Sequence, residues 1–204
     1  MATKLPAHRP SRRDEIVDAA IIVFARCGFV DTSITDIAVA ADVAVTAVYY
    51  HFAGKEDLYG AAIRKVLSSV DDVVAGVRAD DAPADSDTLH RVIDAVWEWV
   101  DENPEPATLM HLHTPAATRQ AAQLRGEFDD LHTRRAFAYV DEDVAGDHPS
   151  AQRLGIATLA VKTLVDVLIA IHPMRMPGGP LSNCSPKALR AAVKSLSTRL
   201  VLSV

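Results

Sequence analysis

Between Ser33 and Lys55 the chain reads SITDIAVAADVAVTAVYYHFAGK, and this stretch constrains the rest. Ile34, Ile37, Ala38 and Ala41 fall on one face at helical spacing, and Val43 and Val48 continue an apolar seam beyond them. Ser33 followed by Asp36 is a capping-box start for a short helix ending near Ala41. Asp42-Val43-Ala44 forms a tight turn, a second short helix ends by Phe52, and Ala53-Gly54 breaks it. Packing the apolar seam leaves Thr46, Tyr49, Tyr50, His51 and Lys55 to face something polar.

Charge limits what that something is. The chain carries a formal net charge of -6, yet Lys4, Arg9, Arg12 and Arg13 give residues 1–13 a charge of +4, so the remainder carries -10. A basic arm on an acidic body implies a polyanion contact confined to the N-terminal end and excludes a whole-surface nucleic-acid binder. Residues 1–10 read as a flexible arm. An apolar fraction of 49% in 204 residues supports a real core, and 5% aromatics with many Ala, Val and Leu favour close-packed helices over a β-sandwich.

Helical periodicity continues along the chain. Ser11 and Asp14 start a first helix over about Arg12 to Cys27, which Gly28 closes in a left-handed conformation. A fourth helix runs from Lys55 to about Val77, followed by an acidic connector, Asp80 to Asp87. A fifth, carrying Leu89, Val92, Ile93, Val96, Trp97 and Val100 inward, ends at Asn103-Pro104. Further helical stretches follow over Ala107–His113, Thr118 to about Val144, Gln152–His172 and Pro186–Leu202, the last two separated by the Pro- and Gly-rich loop Pro173–Ser185. The apolar run Leu154–Ile171 contains Lys162 and Asp166, four apart and able to pair on one face, so it reads as a buried or dimer-facing helix and not as a membrane span. No strand pattern occurs: the fold class is all-α.

A first helix, then S-I-T-D-I-A-x-x-A, then V-Y-Y-H-F-x-x-K-E-x-L, closely resembles the DNA-binding head of the TetR family of bacterial repressors. The match covers about residues 11 to 60. The resemblance implies roughly nine helices, with a helix-turn-helix head over residues 1–54 and a helical ligand-binding and dimerisation body over residues 55–204. It also implies a homodimer that binds a palindromic double-stranded DNA operator and is released by a small-molecule effector. In such a head the second helix of the pair enters the major groove. Val45, Thr46 and Ala47 are small enough for close approach, with Thr46 able to hydrogen-bond a base edge and Val45 or Ala47 able to meet a thymine methyl. Tyr49, Tyr50 and His51 have tips suited to phosphate oxygens, Lys55 adds charge beside them, and Arg12 and Arg13 supply charge from the arm. The resemblance adds Thr35 to the DNA-facing set. Two positions depart from the family pattern: Asp42 stands where Gly is usual at the turn, and Ala44 where Ser or Thr usually caps the reading helix.

The body carries no family motif. Trp97, Trp99, Met110, His111, His113, Phe128, His132, Arg135, Tyr139 and His172 are the side chains able to give an apolar cavity polar anchors. Leu164, Leu168, Leu189, Val193, Leu196 and Leu200, on the last two helices, are the expected dimer seam, a four-helix contact. No metal site is expected, since His111 and His113 lie about 200° apart on a helix and Cys27 and Cys184 are isolated. No cofactor is expected either. Without an apolar leader or paired cysteines the setting reads as cytoplasmic. No phosphate-binding loop, nucleophile elbow or paired catalytic carboxylates appear, which argues against an enzyme; an all-helical adaptor would account for the body but not the head.

Overall fold

The computed structural model describes residues 11–77, 85–110, 118–137 and 149–201. Among these residues there are nine helices and no strand, in keeping with the all-α expectation. They are α1 (Arg12–Asp31), α2 (Ile34–Ala40), α3 (Val45–His51), α4 (Lys55–Val77), α5 (Ser86–Glu102), α6 (Pro104–Thr108), α7 (Arg119–Phe137), α8 (Pro149–Arg175) and α9 (Pro186–Val201).

Their ends follow from local chemistry. The Ser11 hydroxyl accepts the Asp14 amide at 3.2 Å and starts α1. Gly28, at φ 76°, interrupts it in a conformation open essentially to glycine, after which one more turn reaches Asp31. At the start of α5 the Asp85 carboxylate accepts the Thr88 amide at 2.8 Å, so this acid of the expected connector is a cap and the helix begins at Ser86. Pro104 occupies the first turn of α6, which therefore begins before Ala107, where proline's missing donor costs nothing. Pro173 lies inside the last turn of α8, so that helix extends three residues beyond His172.

α1 packs on α2, α3, α4 and α6, and α4 also packs on α5 and α7; α8 joins α5, α7 and α9. Leu58, Tyr59, Ala62, Ile63, Val66, Leu67, Val70 and Val74 are buried along nearly the whole length of α4. That helix thus runs through a single continuous apolar cluster shared by head and body. Where α7 crosses α4, Gly60 is buried against Gln120, whose Oε1 would lie 2.2 Å from a Cβ at that position. The aromatic centre of the head is Phe24, with Tyr59 edge-on at 4.8 Å and Phe29 stacked at 6.1 Å.

The Lys162–Asp166 pairing expected along α8 does not form. Lys162 pairs with Asp129 at 3.0 Å and Asp166 with Arg125 at 3.5 Å, both on α7, because a charged partner across the helix interface is less solvated than one along an exposed helix face. The stretch Gly155–Arg175 is long and apolar enough to cross a membrane. Here it instead buries Ala157, Ala160, Leu168, Ile169 and Ile171 within the protein.

Candidate nucleic-acid interface

Two short helices present the α3 surface, and neither is long enough to be stable alone. α2 carries a complete capping box: the Ser33 hydroxyl accepts the Asp36 amide at 3.1 Å while the Asp36 carboxylate accepts the Ser33 amide at 2.8 Å. Hydrogen bonds from the Ser33 hydroxyl and then from its amide hold the Asp36 carboxyl below the usual carboxylate range. Ile34, Ile37 and Ala38 fix α2 to the core. The turn to α3 needs one left-handed residue, and Asp42 supplies it at φ 52°. Ala44 holds the N-cap position with extended backbone but no side-chain hydrogen bond, as its identity dictates. Val48 alone anchors α3 by full burial, and Phe52 closes it, buried beneath the Arg13 guanidinium at 4.9 Å from the ring centroid.

With Val48 and Phe52 inward, α3 leaves Thr46, Tyr49 and Tyr50 exposed and Val45, Ala47 and His51 half-buried. Tyr49 is 56% exposed and Tyr50 85%, so neither is core. Thr35, Arg12 and Arg13 are also exposed, Arg12 in a 2.9 Å ion pair with Glu15. Lys55 is different and corrects the expectation drawn from the sequence. Its ammonium donates to the carbonyls of Phe29 (2.8 Å), Val30 (3.2 Å) and Thr32 (2.9 Å) and stands over the Phe29 ring. The last carbonyls of α1 lack helical partners after the Gly28 break, and a lysine at the start of α4 is the cation within reach. All three donors are used inside the head, so no direct phosphate contact is left to this side chain.

The body candidates separate into two polar clusters. In the first, between α4, α7 and α8, Phe128 lies 4.2 Å from the His132 ring, and Arg125 beside them donates to Asp129 (2.9 Å) and to the Met110 carbonyl (3.3 Å). Arg135 pairs with Asp71 of α4, and His132 Nε2 stands 3.7 Å from the same carboxylate, buried and without a hydrogen bond. Burial, followed by the Arg135 charge, lowers the His132 pKa to about 4, so this histidine is neutral at physiological pH. The sequence reading missed Arg125 and Asp71. Their signal was a charge inside an otherwise apolar helical stripe, which alone names no partner.

In the second cluster, between α5, α8 and α9, Trp97 is not available to a ligand. Its buried ring packs against the guanidiniums of Arg175 (4.7 Å) and Arg190 (5.3 Å). His172 meets Asp101 at 3.5 Å in this same cluster, apart from the Phe128–His132 group, and Arg175 pairs with Asp101 as well. Burial, the largest single influence, would raise the Asp101 pKa, but the hydrogen bonds and charges of Arg175 and His172 together outweigh it and the carboxyl sits below its usual range. Trp99 is buried core. His111, His113 and Tyr139 lie outside the described residues.

The seam candidates also divide. Leu168 and Val193 are buried in the chain's own core because α8 and α9 turn those faces onto α5 and each other, so neither can contribute to a dimer seam. Leu164, Leu189 and Leu200 are half-buried against that core. Leu196 is 60% exposed, and so is Leu159 at 58%, a residue that periodicity alone did not distinguish.

A capped α2, a tight turn and an exposed α3, carried on a helical body through α4, make up a helix-turn-helix architecture. Residues 16–62 match the model of the bacterial regulatory proteins, tetR family. It is 28% identical over 116 residues to the transcriptional repressor NicS of Pseudomonas putida, and the match spans 55% of this chain and 54% of that one, about half of the relative's length. A TetR-family regulatory protein from Rhodococcus RHA1 superposes with a TM-score of 0.69 at 25% identity, over 95% of this chain and 98% of that one. FadR from Bacillus subtilis, solved in complex with stearoyl-CoA, superposes with a TM-score of 0.68 at 18% identity, over 94% and 98% of the two chains.

Proposed function

We propose that the protein is a ligand-responsive transcriptional repressor that binds a palindromic operator as a homodimer in the cytoplasm, with no enzymatic activity of its own. The observation that carries this reading is the α3 surface, where Thr46, Tyr49 and Tyr50 project from a helix whose opposite face is fixed by Val48 and Phe52. Residues 1–54 form the DNA-binding head and residues 55–204 the body. Thr35, Arg12, Arg13, Tyr49, Tyr50 and His51 position the head on phosphates, and Val45, Thr46 and Ala47 meet base edges. Two heads must reach major grooves about 34 Å apart, which requires a twin. The exposure of Leu159 and Leu196 supports a seam on the outer faces of α8 and α9.

The effector is a small molecule held in the body, a reading in keeping with the FadR structure solved in complex with stearoyl-CoA, and Met110, Phe128, His132 and Arg135 are the residues we assign to hold it. Because Arg135 and His132 both address Asp71 on α4, a ligand that competes for either shifts the helix that carries the head. Release then depends on the ligand's different affinity for the two positions of α4. In the test, Tyr49→Ala/Tyr50→Ala should abolish binding to an operator recovered from genomic fragments while leaving helix content and dimer mass unchanged. Undiminished operator binding by that variant would reject the reading.

A further inference from the structure

We infer that α3 reads thymine methyl groups and not guanine edges, so that the operator half-site beneath it is rich in A·T pairs. The inference rests on the DNA-binding reading above and goes beyond it by assigning the chemistry of recognition.

From Ser33 to Gly54 the chain contains no Arg, Lys, Asn or Gln. These are the side chains that make the bidentate contacts of direct readout, Arg or Lys to guanine O6 and N7, Asn or Gln to adenine N6 and N7. The ionisable groups present in the segment do not replace them. Asp36 is bound by the Ser33 amide and hydroxyl in the capping box. Asp42 belongs to the turn before the reader, at φ 52°. His51 is the last residue of α3, half-buried and edge-on to Tyr50 at 5.0 Å.

The nearest cations offer no substitute. The Lys55 ammonium is spent on three carbonyls, and the Arg13 guanidinium lies over the Phe52 ring at 4.9 Å. At the groove-facing start of α3 there remain the Val45 and Ala47 methyls, half-exposed, and the Thr46 methyl and hydroxyl, exposed. In the major groove only thymine offers an apolar group, its C5 methyl, and Ala and Thr methyls are the side-chain groups that meet it. A reader with methyls and single hydroxyls discriminates by burying that group.

The test uses the full-length protein and changes the DNA, so folding is not at stake. An operator is first selected from a random duplex pool. Its half-site thymines are then replaced by deoxyuridine, which removes only the C5 methyl, and separately its guanines by 7-deazaguanine, which removes only the N7 acceptor. Each lost methyl contact should weaken binding about fourfold, the free energy of burying one such group. Symmetric loss in both half-sites gives about sixteenfold, whereas the 7-deazaguanine duplex should bind within about twofold of the parent. Thr46→Ser, which deletes one protein methyl and keeps the hydroxyl, should weaken binding to the thymine duplex and not to the deoxyuridine duplex. An operator indifferent to deoxyuridine, or one weakened about tenfold by 7-deazaguanine, overturns this inference and leaves the DNA-binding reading standing. Failure to enrich any duplex overturns both.

Discussion

In the head the capping and turn contacts join residues three or four positions apart: Ser11 with Asp14, Gly28 with Thr32, Ser33 with Asp36, Ala53 with Asp57. In the body, beside local contacts such as Arg125 with Asp129, ion pairs reach across the chain, from Asp71 to Arg135, Asp101 to Arg175 and Asp94 to Lys194, 64, 74 and 100 residues apart. Local caps fix the starts of α1 and α2 through their own turns, and α3, uncapped, is held by Val48 and Phe52 in the core. Long-range ion pairs hold helices relative to one another, and they depend on charges for which a ligand can compete. The division suits a regulator whose reader must stay constant while its placement changes.

The largest way to break this contrast is through His132. Its folded pKa of about 4 lies below the ordinary 6.5 because burial disfavours the imidazolium. The unfolded chain therefore takes up this proton first as pH falls. The stability associated with the neutral buried ring is fully present above about pH 6.5, is lost as pH falls from there toward 4, and changes no further below. The interval corresponds to about 3 kcal/mol. His132→Gln, which cannot titrate, should flatten the pH dependence by that amount when urea unfolding is followed between pH 7 and 4. Carboxylates contribute equally to both proteins and cancel in the difference. Parallel curves would mean that His132 is not held neutral by the fold.

Lys55 provides the middle test, because it ties the start of α4 to the end of α1 through carbonyls 23 to 26 residues earlier. Lys55→Met keeps the stem over Phe29 and deletes three charge-assisted hydrogen bonds to the end of α1, for an expected loss of about 2 kcal/mol in thermal or urea unfolding. Operator affinity of the folded fraction should change little. Unaltered stability with a large loss of affinity would restore the lysine to the phosphate and remove it from the α1 terminus.

Lys55 also shows where sequence reasoning stops. Ser33, Asp36, Gly28, Asp42 and Ala44 were readable because each acts within its own turn through its own backbone preferences. The boundaries of α2, α3 and α4 follow from them almost residue for residue. A lysine after Ala53-Gly54 is equally compatible with a phosphate and with carbonyls 23 to 26 residues earlier, and only the packing of α4 on α1 decides between them. The body repeats the difficulty on a larger scale. Trp97 reads as a pocket aromatic until Arg175 and Arg190 are seen to pack against it, and Leu168 reads as a seam residue until α8 is seen to turn it inward. Periodicity reports that a helix has an apolar face, not which neighbour covers it.

The smallest expected effect sharpens the contrast on the head's side. α3 has seven residues, one fully buried anchor and no side-chain cap, which makes it the least supported element of a region otherwise held by caps. The Ala44 backbone, at φ -68° and ψ 146°, already has the extended geometry that an N-cap requires, so a hydroxyl placed there can accept the amide of Thr46, or share that of Ala47, which donates to the Ala44 carbonyl at 2.9 Å, without rearrangement. Ala44→Ser should therefore stabilise the protein by about 1 kcal/mol. If α3 opens locally, hydrogen exchange at those two amides should slow about fivefold, while amides in α7 and α8 keep their rates. Slowing spread evenly over head and body would instead show that α3 opens only when the whole molecule unfolds, and that the shared core through α4 overrides the independence conferred by local caps. An unchanged rate at Thr46 and Ala47 would show that the missing cap is no weakness, with Val48 and Phe52 sufficient to hold the reader.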